Sequence, residues 1–496
     1  MNSPSANLND LLVARHVRAG HGDALAVIDE TGRWTFRELD HAAGAAAGLL
    51  RQAGVQPGDR VALVLPDSRA WCAAFLGATR IGAVCAPLEP GGRHLDVTLQ
   101  DLAATVTVAE SATKLPTGTR RLVIDADALA DVPALPISAV MPTTPAYMIF
   151  SSGSTGRPKG VVHAHKDLAA SIDGYSVEVL GLMPVDRCHS VAKLFASLGF
   201  GNGFFRPLGR GATIVLFGGR PTVRSVMRLV AEHRVSVLTG VPTFWSQLAT
   251  FLERHAHPRP LGDVRIAVSS GDSLPAAVLS RMVERTGVEL LEGLGCSECS
   301  NIVLSTRPGH SMPGRLGTIV GGVEIALRDD EGNDVPDGTP GRLWIKSPSN
   351  TLGYWARPEE TADVVHGEWI RMGDVLRRDD GVYRHLGRLD DIFKVDARWV
   401  SPIEVEGALY EHPAVTGAAV VAYADDAGLT RVGAVVTTNA DGDDELAAEL
   451  RRHVAHRLAP YLAPSSVRFL EDLPRGATGK VDRAAIRAAF GGISSR

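Results

Sequence analysis

Over roughly its first 300 residues the chain alternates short apolar runs with helix-patterned stretches, and this rhythm constrains the fold more than any other feature. Apolar runs at 61–65, 83–86, 212–217, 235–238 and 264–268 read as strands, and 69–80, 222–233 and 243–255 as helices. Alternation of this kind builds parallel sheets with helices on both faces. Such sheets gather ligands at the carboxyl ends of their strands. Two segments fall at such ends: residues 151–160, after the buried-strand pattern Tyr147-Met-Ile-Phe150, and Ser269-Ser-Gly-Asp-Ser273. From about Gly317 the pattern shortens into strands with turn signals, Asp329-Asp-Glu-Gly-Asn333 and Asp337-Gly338, which marks a β-rich lobe to roughly residue 386. After the charged segment Gly387-Arg-Leu-Asp-Asp-Ile-Phe-Lys394, helix patterns at 401–411 and 445–458 and strand patterns at 416–424 and 431–438 predict a compact α+β domain. The expected class is therefore α/β. A large domain, 1–389, carries the helix-flanked parallel sheets and the β-rich lobe, and a small α+β domain, 390–496, follows. At 496 residues the chain is too long for one hydrophobic core.

The loop Ser151-Ser-Gly-Ser-Thr-Gly-Arg-Pro-Lys-Gly160 has the composition to present backbone N–H groups and hydroxyls to a polyphosphate, with a cation behind them. It is not a Walker A loop, because Pro158 precedes the lysine and Gly160, not Ser or Thr, follows it. A solvated Ser/Gly loop is the commoner fate of such composition, but a buried strand feeding straight into it argues otherwise.

A net charge of −5 without a long basic run gives no reason to expect nucleic acid or an acidic membrane surface as partner. The first ten residues lack the basic start and apolar core of a secretory signal, and no apolar stretch approaches bilayer-spanning length. Five cysteines, an odd count, favour reduced thiols in the cytoplasm over a disulfide framework. Cys296-Ser-Glu-Cys299 has CxxC spacing, but no second pair completes a metal site.

The loop at 151–160, the Gly-Arg-x-Asp-Asp segment and Pro474-Arg-Gly-Ala-Thr-Gly-Lys480 occur in this order along the whole chain. As a set they resemble the ANL adenylate-forming superfamily. Ala192-Lys-Leu-Phe195, Gly240-Val-Pro-Thr243 and Trp399-Val-Ser-Pro-Ile-Glu-Val-Glu406 look most like its benzoate and aryl-CoA ligase branch. The resemblance implies two half-reactions: a carboxylate attacks the α-phosphorus of ATP, releasing pyrophosphate, and a thiol, here that of CoA, then displaces AMP. It further implies that Ser151, Ser152, Gly153, Ser154, Thr155, Gly156 and Lys159 hold the phosphates, and that Glu298 binds Mg²⁺ with Ser297 beside it. Asp374 would accept the ribose hydroxyls near Arg388, Gly271, Asp272 and Ser273 would lie along the adenine, and Lys480 would bridge the acid and the α-phosphate. Asp390 would be the hinge about which the small domain turns between half-reactions.

Relatives that activate amino acids carry an aspartate shortly after the aromatic motif. Here Leu194-Phe-Ala-Ser-Leu-Gly-Phe-Gly-Asn-Gly-Phe-Phe205 contains no acid. A buried ammonium without a counter-ion is costly, so an uncharged aromatic acid fits better. The expected pocket comprises Phe195, Ala196, Gly199, Val241, Pro242, Leu294, Gly295 and Ile302, with Lys193 and Asn202 as candidate partners of a ring substituent, against an equally common structural role. One departure stands out: Ala397 occupies a position where close relatives carry glycine, near the expected pantetheine path. That leaves a second acceptor open, either an acyl carrier protein or a non-thiol nucleophile such as an amine or inorganic acid.

Overall fold

The computed structural model describes residues 6–125, 128–129, 131–151, 157–255, 259–396, 398–439, 442–475 and 481–490. Among these, the expected rhythm becomes two mixed sheets that share the chain in an interleaved way. The larger has nine strands in the order Thr318–Ile319, Asn301–Ser305, Leu290–Cys296, Ile266–Ser270, Val237–Gly240, Arg187–Ser190, Thr213–Val215, Leu25–Asp29 and Gly32–Thr35. Its centre is parallel, and antiparallel strands close both edges. The second sheet runs Gly353–Tyr354, Lys159–Ala164, Pro145–Ser151, Val84–Pro87, Arg60–Val64, Val106–Ala109 and Arg121–Leu122.

Local chemistry explains the helices. Ser68 Oγ accepts the Trp71 N–H and starts Arg69–Arg80, and Thr35 with Glu38 forms a capping box at Phe36–Gln52; each such cap stabilises by about 1 kcal/mol. Both helices are alanine-rich, and their small faces pack together beneath the sheets. Against them lies an aromatic cluster in which Trp71, Phe75, Phe200 and Phe204 contact one another at centroid distances of 5.1–6.5 Å.

The β-rich lobe is a five-stranded antiparallel sheet built on Gly341–Lys346 and the long strand Trp369–Asp379, which pairs with Val382–Arg388. Its alternating burial follows the period-2 pattern of a sheet with one wet face. Beyond the hairpin Phe393–Val395/Arg398–Val400, Val415–Ala424, Thr430–Thr438 and Ser466–Phe469 form a separate three-stranded sheet. Pro402–Tyr410 and Asp444–Arg457 pack on it and enclose Val405, Leu409, Val420, Val436, Leu450 and Val454. No helix among the described residues is long and apolar enough to cross a membrane.

Candidate functional site

Ser151 and Lys159 are register partners across the antiparallel pair Pro145–Ser151/Lys159–Ala164, so the phosphate-loop candidate is the connection of a hairpin. Ser152, Gly153, Ser154, Thr155 and Gly156 lie outside the described residues. Lys159 Nζ stands 2.5 Å from Glu360 Oε2 and 5.3 Å from the centre of the Tyr354 ring. Tyr354 in turn donates its hydroxyl to Glu298 Oε1 at 2.8 Å. Sequence reading missed this tyrosine, which reaches the site from Gly353–Tyr354, the edge strand supplied late in the chain. The backbone of the Glu298 turn is fixed on both sides. The Glu298 carbonyl accepts from Thr351 N at 2.7 Å, and the Ser297 carbonyl lies 2.8 Å from His163 Nε2, whose other nitrogen is 3.1 Å from the buried Asp167.

Glu298 Oε2 accepts no hydrogen bond among the described residues. One free carboxylate oxygen suits Mg²⁺, which keeps much of its water and takes the remaining ligands from phosphate. Cys296 and Cys299, on either side of this turn, have their sulfurs 2.9 Å apart. That contact, burial and the nearby Glu298 push the Cys296 thiol well above its ordinary pKa, so it stays protonated.

Asp374 and Arg388 face each other across Trp369–Asp379 and Val382–Arg388. Gly373 makes this possible, because a Cβ there would stand 2.7 Å from Arg388 Nη2. Crowding by protein lowers the Arg388 pKa, but Asp374, Glu298, Asp391 and Asp390 more than offset it, and the net shift is upward. The expected metal carboxylate and ribose carboxylate are thus felt by one guanidinium. His385 joins Asp374 to the expected adenine segment, with Nε2 3.0 Å from Asp374 Oδ1 and Nδ1 2.8 Å from Ser273 Oγ. Gly271, Asp272 and Ser273 follow directly on the strand Ile266–Ser270, at its carboxyl end.

Beneath that segment lies Glu292, which sequence reading also missed. It is 5% exposed and accepts the Leu274 N–H at 2.9 Å. Burial pushes its pKa up from 4.5 to about 8, against the pull of that hydrogen bond. The folded protein therefore holds this proton more tightly than the unfolded chain does. The associated stability is complete below pH 4.5 and is lost as pH rises through 8. Glu292→Gln should remove this slope. We expect the variant to melt at least about 2–4 °C above the parent at pH 9 and not at pH 5 in thermal scans; equal differences at the two pH values would refute the assignment.

The acid-pocket candidates come from three elements. Phe195, Ala196 and Gly199 lie at or before the turn Ser197–Phe200, Val241 and Pro242 open the helix Pro242–Arg254, and Leu294, Gly295 and Ile302 lie on the hairpin Leu290–Cys296/Asn301–Ser305. Gly199 serves the main chain, since a Cβ there would stand 2.1 Å from the Lys193 carbonyl. Lys193 Nζ is 3.7 Å from Asp67 and donates to the Phe217 carbonyl.

Asp390 sits between two anchorages. Leu389 N donates to Gly373 O at 2.7 Å, whereas Asp391 pairs with Arg483 at 3.7 Å and Arg487 at 3.4 Å, both close to the C-terminus. Arg483 also binds Glu406 in bidentate fashion at 2.6 and 3.0 Å. Lys480 and Ala397 lie outside the described residues; a bridge between Arg475 and Val481 brackets the segment that carries the lysine.

Residues 14–355 match the family model of AMP-binding enzymes, and 404–480 match the AMP-binding enzyme C-terminal domain. A benzoate–CoA ligase of Thauera aromatica is 37% identical, over 97% of this chain and 96% of that protein. The crystal structure of an anthranilate CoA ligase in complex with anthranoyl-AMP superposes with a TM-score of 0.91 at 31% identity, covering 98% of both chains. A benzoate CoA ligase of Burkholderia xenovorans gives 0.88 at 35% identity, over 97% of this chain and 99% of that one. Motif order, fold and full-length likeness agree, and the chain belongs to the AMP-binding enzymes of the ANL adenylate-forming superfamily.

Proposed function

We propose that this protein is an aryl-acid–CoA ligase. It joins an aromatic carboxylate to AMP from ATP and then passes the acyl group to the thiol of CoA. The observation that carries the reading is that Asp374 faces Arg388 across a strand pair and Glu298 acts on the same guanidinium, in a chain that matches a benzoate–CoA ligase over 97% of its length. The first step brings an anion to a polyanion, so charge and donors must be in place beforehand. Lys159 and the hydroxyls of 151–155 hold the β- and γ-phosphates. Glu298 holds Mg²⁺, which when bound neutralises phosphate charge. Asp374, kept in place by His385, takes the ribose, and Arg388 lies beside the same sugar and phosphate. Lys480 enters from the small domain to offset charge that grows between acid and α-phosphate. An apolar wall of Phe195, Ala196, Val241, Leu294 and Ile302 receives the ring. The protein works in the cytoplasm, a reading supported by its free cysteines.

A panel of carboxylic acids, read by acid-dependent pyrophosphate release, tests the first step, and repeating it with CoA tests the second. Benzoates should lead and CoA should consume the adenylate. Preference for aliphatic chains would refute the ring pocket. Orthophosphate instead of pyrophosphate would refute adenylation.

One observation keeps a second acceptor in view. Val395 pairs with Arg398, and Asp396 after that strand has φ +49°. Glycine is the residue that most readily follows a positive-φ position in a hairpin connection, and in this sequence Ala397 follows Asp396. A carrier-protein pantetheine, an amine or an inorganic acid in place of free CoA would appear in the same assay as acceptor-dependent AMP release.

We take the domain boundary at 389/390 and the pivot at Asp390. The N–H of Asp390 makes no backbone hydrogen bond among the described residues, so proline removes none there while fixing φ. Asp390→Pro should retain most pyrophosphate release and lower thioester formation by about 10²-fold, the scale of a misplaced reactant. Equal loss of both steps in single-turnover assays would argue against the pivot.

A further inference from the structure

Arg206 is a buried cation without a carboxylate partner among the described residues. It is 2% exposed and lies between the rings of Tyr175 and Phe205, at 5.2 and 4.9 Å. Burial lowers its pKa to about 10, against the opposing effects of Tyr175, Cys299 and Tyr147. A guanidinium has donors only, and this fixes the polarity of everything bonded to it. Nε donates to Ser171 Oγ at 2.9 Å, and Nη1 donates to Asn202 Oδ1 at 2.8 Å. Ser171 then gives its own hydrogen to Asn301 Oδ1 at 2.7 Å. Both asparagines therefore turn their oxygens into the chain that starts at Arg206, which leaves their NH₂ groups as its unbonded ends. Neither Nδ2 has a hydrogen-bond partner among the described residues, and each asparagine is only 4% exposed.

A buried positive charge with two buried, unpaired donors costs free energy unless an acceptor meets them. The position of the two donors indicates which acceptor. Asn202 lies one helical turn beyond Gly199, and Asn301 precedes Ile302 and pairs with Cys296, the neighbour of Gly295. These are the elements that frame the acid pocket.

We propose that Asn202 and Asn301, polarised by Arg206, form the specificity site of that pocket and bind an acceptor oxygen on the ring of the acid, above all an ionised carboxylate or phenolate. This rests on the aryl-acid reading above. A site built to hydrogen-bond a substituent discriminates strongly against analogues that lack it.

The test compares kcat/KM for acid-dependent pyrophosphate release with hydroxy- and carboxybenzoates against methylbenzoates and benzoate. At least one acceptor-bearing ring position should exceed its methyl counterpart by at least about 10²-fold. Asn202→Leu and Asn301→Leu should each reduce that ratio by at least about tenfold. Asn202→Asp, which gives Arg206 a carboxylate and keeps the side-chain shape, should abolish the preference for anionic rings, and it serves as the check if the leucine variants fold poorly. Equal use of acceptor-bearing and methyl benzoates, or a ratio that the variants leave unmoved, overturns this inference alone. Absence of pyrophosphate release with every acid overturns the aryl-acid reading and this inference with it.

Discussion

Replacing Lys480 with alanine should slow acid-dependent pyrophosphate release by at least about 10³-fold, with ATP affinity nearly unchanged. The expectation follows from where charge develops. In the proposed function Lys159 and Glu298 act on the ground-state triphosphate. A lysine between the acid and the α-phosphorus acts most strongly as the new bond forms, and an interaction made mainly in the transition state lowers kcat rather than binding. Loss of a single preorganised donor in comparable sites costs about 10²–10³-fold, and a full positive charge between two anions belongs at the upper end. ATP binding by fluorescence or calorimetry, run beside single-turnover adenylation, separates the two quantities. A variant that binds ATP poorly and reacts normally once saturated would assign Lys480 to the phosphates instead.

Arg483→Met should destabilise the C-terminal domain by about 3–5 kcal/mol, the usual cost of leaving one partner of a buried ion pair alone. Arg483 and Glu406 are only 15% and 12% exposed at their side chains. Burial lowers the arginine pKa, but Glu406, Asp272 and Asp391 more than compensate, and it ends above its ordinary value. Arg483 also donates to the Val420 carbonyl, while Glu406 accepts the Val420 N–H, so the pair fixes Pro402–Tyr410 and Arg483–Ala489 against the strand Val415–Ala424. Denaturant unfolding or limited proteolysis of the small domain would measure the loss. The double variant Arg483→Met/Glu406→Leu should recover much of it, because no charge is then left unpaired. No recovery would mean that the arginine's packing matters more than its charge.

What the chain revealed in advance was local. The helix expected at 69–80 is Arg69–Arg80, and that expected at 243–255 is Pro242–Arg254. Periodicity, a serine cap and a proline at a helix start all act over a few residues. Strand order was hidden because pairing is not local. Leu25–Asp29 pairs with Thr213–Val215, and Gly353–Tyr354 completes a sheet begun near residue 60. The same limit applied to the site. Glu298, Asp374 and Arg388 were legible from motifs, whereas Tyr354, His385, Glu292 and the chain from Arg206 to Asn301 were not. Their roles arise from contacts between residues as much as 130 positions apart, and no short pattern marks either end.

The anchorages on either side of Asp390 bear on kinetics. Asp391 N and Ile392 N both donate to the Arg388 carbonyl, at 2.9 and 3.0 Å, so a rotation about the proposed pivot Asp390 has to break both bonds. The joint itself supplies part of the resistance to such a rotation. The rest comes from the docked face, where Ser246 donates to the Thr416 carbonyl at 2.9 Å and Tyr410 packs into the core around Trp245. On the proposed pivot, peeling that face apart and opening the joint together should set the tempo of the catalytic cycle.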